Sequence, residues 1–215
     1  MIASIVIEFF IKGGPIMWPI LVCAVVAIAV VGERLFWWWH ESHLRDHDTL
    51  MKIMDALHRG DLKGAASLGK GSRDPVIQMV DHGLNDHETS LQVAMQAAAG
   101  AVLRRAGRFL PVMDTLVTLA PLLGLLGTVT GIMRSFTSIG SAELAVGKVT
   151  GGIGEALIAT ACGLGIAILS LIPLNYFGGK VAQLQYELET AASNIEVLLS
   201  RIKLRSRQND NGIPD

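Results

Sequence analysis

Residues 119–131, LAPLLGLLGTVTG, and 155–163, EALIATACG, decide how this chain is to be read. Both are apolar and free of charge except at Glu155, yet each carries small residues at helical spacing and hydroxyls among them. Gly124, Gly127 and Gly131 form a smooth strip that lets a neighbouring helix come close, and Ala156, Ala159 and Gly163 form a second. Thr128, Thr130, Thr160 and Glu155 lie on these stretches, and Asp114 and Thr118 precede the first of them on the same apolar helix. A single intramembrane threonine needs no special role, because its hydroxyl can bond back to a carbonyl one turn earlier. Carboxylates are different: inside a membrane they are costly unless they face a bundle interior or water. Asp114 near one end and Glu155 near the other spread polar groups across the membrane depth, a pattern that packing alone does not require.

Working outward, the composition is 51% hydrophobic and 17% charged, and the mean hydropathy is positive. Soluble domains carry about 25% charged residues, so part of this surface must face lipid. Ile16 to Gly32, extended through Leu35 to Trp39, is a first apolar run long enough for a hydrocarbon core that needs about 20 helical residues. Glu33 and Arg34 sit near its end, where they can snorkel to the interface, and Trp37, Trp38 and Trp39 supply an aromatic belt. Residues 109–136 and 152–178 are the second and third spans, with Pro111 and Pro121 expected as kinks in the second. Residues 137–151 read as a short polar connection. The fold class predicted is all-α, an integral membrane protein with three transmembrane helices, the second and third very long and extending into the cytoplasm.

Residues 40–108 are different material, holding all six histidines and nine Lys or Arg residues. They read as a water-exposed helical domain: a helix around Leu50–Leu57, another over Leu62–Leu68, and a third after Asp74-Pro75 reaching Gly83. Asn85 with Glu88 resembles a helix cap, and the helix it opens meets no strong stop before Gly131. Val181, Leu184, Leu188, Ala191, Ile195, Leu198 and Ile202 form a heptad seam, so the third helix should continue past the membrane over 179–204 and pack on another helix. Residues 205–215 read as a disordered tail. Residues 1–14 place Ile2, Ile5, Val6, Phe9 and Phe10 opposite Ser4, Glu8 and Lys12, which suits a helix lying on the membrane surface. Residues 40–108 and 180–207 carry most of the Lys and Arg, against Lys12 and Lys148 on the other face, which predicts an N-terminus outside and a C-terminus inside.

Other motifs carry little chemistry. Gly64–Lys70 fails as a phosphate loop because Gly71 replaces the hydroxyl residue that would hold magnesium. His40, His43 and His47 lack a companion ligand and read as interfacial side chains, so no metal is expected. Cys23 and Cys162 lie in apolar runs and read as packing residues rather than a disulfide. There is no nucleophile, base and orienting group in one pattern, and no nucleic-acid footprint. A non-enzymatic membrane protein without cofactor follows. A non-conducting scaffold is the rival reading, and an enzyme tethered to the membrane would need a cleft in 40–108.

The run Ala120-Pro-Leu-Leu-Gly-Leu-Leu-Gly-Thr-Val-Thr-Gly-Ile-Met133, followed by Gly154-Glu-Ala-Leu-Ile-Ala-Thr-Ala-Cys-Gly-Leu164, resembles the paired signature of the MotA/TolQ/ExbB proton channel family. Gly13-Gly-Pro-Ile-Met-Trp-Pro19 and Glu33-Arg34-Leu35 are similar to its ExbB-like members. The resemblance implies an inner-membrane homopentamer around transmembrane helices of an ExbD- or TolR-like single-span partner, whose Asp carries the proton. It implies that Thr128 and Thr160 face that Asp, that Glu155 is the family's outer glutamate, and that proton flow drives mechanical work on the envelope, such as TonB-dependent transport through a TonB-like protein. Asp114, Thr118 and Thr130 are candidates for a secondary pathway. A hydroxyl can donate to an ionised carboxylate and accept from a protonated one, which suits a titrating partner. Two departures stand out: Thr130 replaces a common aromatic, and Leu169 stands where a mid-helix proline is usual, with Pro173 a turn later. Three spans separate the chain from four-helix MotA-type stators, while ExbB-like and TolQ-like members both fit.

Overall fold

The computed structural model describes residues 13–85, 91–137 and 142–210, side chains at 142–149 and 203–210 excepted. Among the described residues there are seven helices and no strand: α1 Met17–Ser42, α2 His47–His58, α3 Leu62–Gly69, α4 Pro75–Asn85, α5 Leu91–Ala106, α6 Leu110–Thr137 and α7 Ala142–Asp210. Three of them, α1, α6 and the 150–202 part of α7, are long and apolar enough to cross a membrane. The surface helix expected at 1–14, apart from its last two residues, and Glu88, expected to form a cap with Asn85, lie outside the described residues, as do residues 211–215 of the tail. Asn85 itself is the last residue of α4, its Nδ2 donating to Asp81 Oδ1 at 2.7 Å.

The chain divides into two compact units, one of residues 1–36 and 109–177, the other of 37–108 and 178–215. In the second, short helices are started by carboxylates. Asp46 Oδ1 accepts from the Thr49 amide at 3.0 Å, and Asp61 Oδ1 accepts from the Gly64 amide at 2.8 Å. Such caps take up amide donors that the first helical turn leaves without partners. Asp74, 3% exposed, takes the Val76 amide at 2.8 Å and the Asp46 amide at 2.9 Å, and so starts α4 while fixing the chain ahead of α2. Pro75 follows at the first helical position, where a missing amide hydrogen costs nothing.

These helices bury Ile53, Leu57, Ile77 and Met79 against Leu184, Leu188 and Ile195 of α7 in one apolar core. The seven-residue spacing along α7 is therefore a packing seam, made between helices of one chain. An ion pair from Arg45 Nη2 to Glu187 Oε2 at 2.6 Å spans the same unit.

Three expectations change. The helix predicted to run from Asn85 to beyond Gly131 is interrupted: α5 ends at Ala106, α6 starts at Leu110, and Phe109 between them has φ 68°. A bulky residue in that left-handed region is uncommon because its Cβ crowds the backbone. The break also moves Pro111 from a mid-helix kink to the first turn of α6, where a proline is tolerated; Pro121 remains inside α6. Arg34 does not reach outward: it is 1% exposed, its Nη2 lies 2.7 Å from Glu33 Oε1, and its guanidinium carbon lies 5.6 Å from the Phe109 ring centroid. Lastly, the expected connection at 137–151 is helical from Ala142, and the expected tail is helical to Asp210, because α7 runs 69 residues.

Candidate functional site

Helices α6 and α7 meet through their small residues within the first unit. A Cβ added at Gly124 would lie 2.9 Å from Thr160 Cα and 3.1 Å from the Ala159 carbonyl oxygen. One added at Gly131 would lie 3.0 Å from Ala156 Cβ, and one at Gly127 would lie 2.6 Å from Ala159 Cβ and 2.8 Å from Ile16 Cγ2. At Gly163 it would strike the Ala120 carbonyl oxygen and lie 3.3 Å from Gly124 Cα. Backbone thus faces backbone along this crossing, where a side chain larger than hydrogen has no room. Ala120, Ala156 and Ala159 are buried in it.

The threonines stand beside that contact. Thr160 Oγ1 donates to the Gly124 carbonyl at 2.9 Å, a hydrogen bond from one helix to the other across 36 residues of sequence. Thr128 is half-buried, and its Oγ1 donates to the Leu125 carbonyl of its own helix at 2.6 Å. No hydrogen bond joins Thr128 to Thr160. Thr130 Oγ1 bonds back to Leu126 O at 2.9 Å, and Thr118 Oγ1 to Thr115 O at 2.9 Å.

At about 100° of rotation per residue, Asp114, Thr118 and Thr128 fall within roughly an 80° arc of α6, next to the glycine strip. Thr130 lies on the strip's far side. Asp114 and Thr118 are exposed, so this face of an apolar helix is uncovered in the single chain. A carboxyl group facing acyl chains is expensive, and such a face calls for protein or water against it.

Glu155 is placed differently. Its Oε1 lies 3.2 Å from Arg134 Nη1, and the carboxyl group packs over Gly14, where φ is 71° and a side chain would collide with it. The sequence reading missed Arg134, because the partners lie 21 residues apart across two helices; its only signal was an arginine in the last turn of a membrane helix. It also missed Ser135 and Ser170. Ser135 is buried and donates to Gly131 O at 2.9 Å, whereas Ser170 is 1% exposed and its hydroxyl has no partner. Among the described residues, no group of three or more His, Cys, Asp or Glu side chains is placed to hold a metal. Cys23 and Cys162 are free thiols.

Known proteins resemble this chain over much of its length. The chain is 29% identical to ExbB-like 1 of Synechocystis sp. over 204 residues, covering 91% of this chain and 80% of that protein. It is 36% identical to ExbB-like 3 of the same organism over 172 residues, covering 77% and 81%. With the Tol-Pal system protein TolQ of Pseudomonas aeruginosa it shares 37% identity over 109 residues, covering 50% and 47%. Residues 72–190, more than half of the chain, match a sequence description shared by such proteins, and on that match this chain belongs to the MotA/TolQ/ExbB proton channel family.

Proposed function

We propose that this chain is the ion-conducting subunit of an inner-membrane complex that energises biopolymer transport, working with an ExbD- or TolR-like single-span partner. In this reading several copies, five by the family resemblance, surround partner helices whose intramembrane Asp takes up and releases a proton. Thr128 and Thr160 contact that Asp, with Asp114 and Thr118 on the approach to it. Glu155, held by Arg134, lies at the outer end of the path, and Thr130 is a further candidate on the other side of the glycine strip. The N-terminus lies outside and the C-terminus inside, and a TonB-like protein receives the work.

One observation carries this reading: a face of α6 that also holds Leu125 and Ile132 bears three polar side chains, Asp114, Thr118 and Thr128, and in the single chain Asp114 and Thr118 are exposed while Thr128 is half-buried. Packing with copies around a wet axis gives those groups an environment they can tolerate. The test is proton flux into liposomes holding the chain and its partner, followed with a pH-sensitive dye. Thr128→Val, Thr160→Val and Asp114→Asn each reduce flux if the assignment is right. Unchanged flux in all three removes the assignment of these residues.

A second reading, the non-conducting scaffold, is favoured by the back-bonding of Thr118, Thr128 and Thr130 to carbonyls of their own helix. It predicts an assembled wild-type complex that passes no protons.

A further inference from the structure

The end of α1 that carries the tryptophans forms part of an open pocket of about 210 Å³ within the second unit. Trp37, Glu41, Arg73, Gln78, Val102 and Arg105 are among the residues that wall it. Trp37 lies near the end of the apolar run of α1, and Arg105 stands five residues ahead of Leu110, where the next apolar helix begins. Two chain segments that enter the membrane therefore bring an indole and a guanidinium to one place at the edge of the apolar runs, the depth at which lipid headgroups lie. From the loop before α4, Arg73 supplies a second guanidinium.

Two arginines against one glutamate leave the pocket with a formal charge of +1. Guanidinium groups match phosphate oxygens in pairs of parallel hydrogen bonds, which a lone ammonium cannot do. Trp37, Val102, Leu44 and Pro75 also line the pocket, so its chemistry is half apolar. A ligand of charge −1 with an apolar body attached fits both halves. We infer that this pocket binds the phosphodiester of an anionic phospholipid, with Arg73 and Arg105 on the phosphate and Trp37 against the glycerol and upper acyl chain. The inference rests on the chain spanning a membrane but not on its conducting ions, and its readout is lipid retention rather than flux.

The experiment uses the full chain in its purified assembly, delipidated in detergent, with phosphatidylglycerol, phosphatidylcholine or inorganic phosphate added, and native mass spectrometry as readout. Phosphatidylglycerol is retained and phosphatidylcholine is not. Apparent affinity falls about fivefold for Arg73→Gln and about fivefold for Arg105→Gln, the size of one basic residue's attraction to an anionic lipid. Arg104→Gln, which removes the same charge from the same helix outside the pocket, leaves retention unchanged, and excess inorganic phosphate does not displace the lipid. Both pocket arginines are exposed, and the variants should melt with the wild type. If they do not, Arg73→Lys with Arg105→Lys replaces them: the charge stays but the paired hydrogen bonds are lost, so phosphatidylglycerol is retained less well than by the wild type, and unchanged retention would overturn the proposal. Equal losses in Arg104→Gln and Arg105→Gln, equal retention of phosphatidylcholine, or full displacement by inorganic phosphate would overturn the proposal. The first points to diffuse surface charge, the last to a free-anion site.

Discussion

Substituting Gly163 by alanine puts the α6–α7 crossing to a direct test. The new methyl group would strike the Ala120 carbonyl oxygen and lie 3.2 Å from the Ala120 carbonyl carbon. Backbone atoms cannot rotate aside as a side-chain tip can, so the two helices must part by on the order of 1 Å, the overpacking regime that costs about 1–3 kcal/mol. Alanine returns roughly 1 kcal/mol through its better helix propensity, and because the atom struck is backbone the collision sits in the upper part of that range, about 2–3 kcal/mol, leaving a net loss of about 1–2 kcal/mol. For a chain of this size that lowers the melting temperature by roughly 2–8 °C. Gly165, two residues on, has nothing within 4 Å of an added Cβ, so Gly165→Ala keeps the propensity gain without the collision. The assay is thermal unfolding in detergent followed by circular dichroism, with both variants beside the wild type. Opening the crossing also lengthens the Thr160 to Gly124 hydrogen bond, because Gly163 and Thr160 sit one turn apart against the same stretch of α6. Should Gly163→Ala melt with the wild type, the backbone contact is not as close as described and the reasoning fails.

Further outcomes follow from the second unit and the break between α5 and α6. Asp74→Ala strips acceptors from the Val76 and Asp46 amides and should cost roughly 2–3 kcal/mol in chemical denaturation, whereas Asp74→Asn, which keeps an oxygen, should lose less. Leu188→Ala at the fully buried seam should cost about 2–5 kcal/mol, measured in the same way. At Phe109 the usual order of alanine over glycine should reverse: Phe109→Gly should be more stable than Phe109→Ala by about 1 kcal/mol, since only glycine takes φ 68° freely. The Thr49 hydroxyl and amide hold the Asp46 carboxyl below its usual range. With the folded pKa depressed, the cap's contribution is fully present above the unfolded value, the ordinary 3.8, and is lost as pH falls through the lowered one. An acid titration of α2 helicity should therefore show wild type and Asp46→Asn converging only at the acid end.

Periodicity made much of this architecture readable. Leu184, Leu188, Ala191, Ile195 and Leu198 repeat at alternating spacings of three and four, and a buried stripe on a helix has few other sequence forms. The three apolar helices were equally visible, because length and the scarcity of charge are local properties. The break at Phe109 was not, since it depends on a single residue adopting a conformation its side chain disfavours. The hint lay in Gly107 and Pro111 bracketing it, a helix stop followed by a helix start, which an apolar run masks. Arg134 with Glu155, and Arg34 over Phe109, were beyond reach for another reason: each pair joins residues distant in sequence, and no local pattern specifies a partner on another helix.

The hydrogen bond from Thr160 to the Gly124 carbonyl has a chemical polarity. A carbonyl only accepts, so the hydroxyl's one hydrogen is committed to it, as the hydrogen of Thr128 is to Leu125. What each oxygen then offers its surroundings is lone pairs. An acid brought against them is received better with its hydrogen than without, and ionisation must either be followed by departure or make a hydroxyl turn round and abandon its carbonyl. Under the proposed function, the bond that joins the helices thus favours the neutral form of an acid set against these hydroxyls.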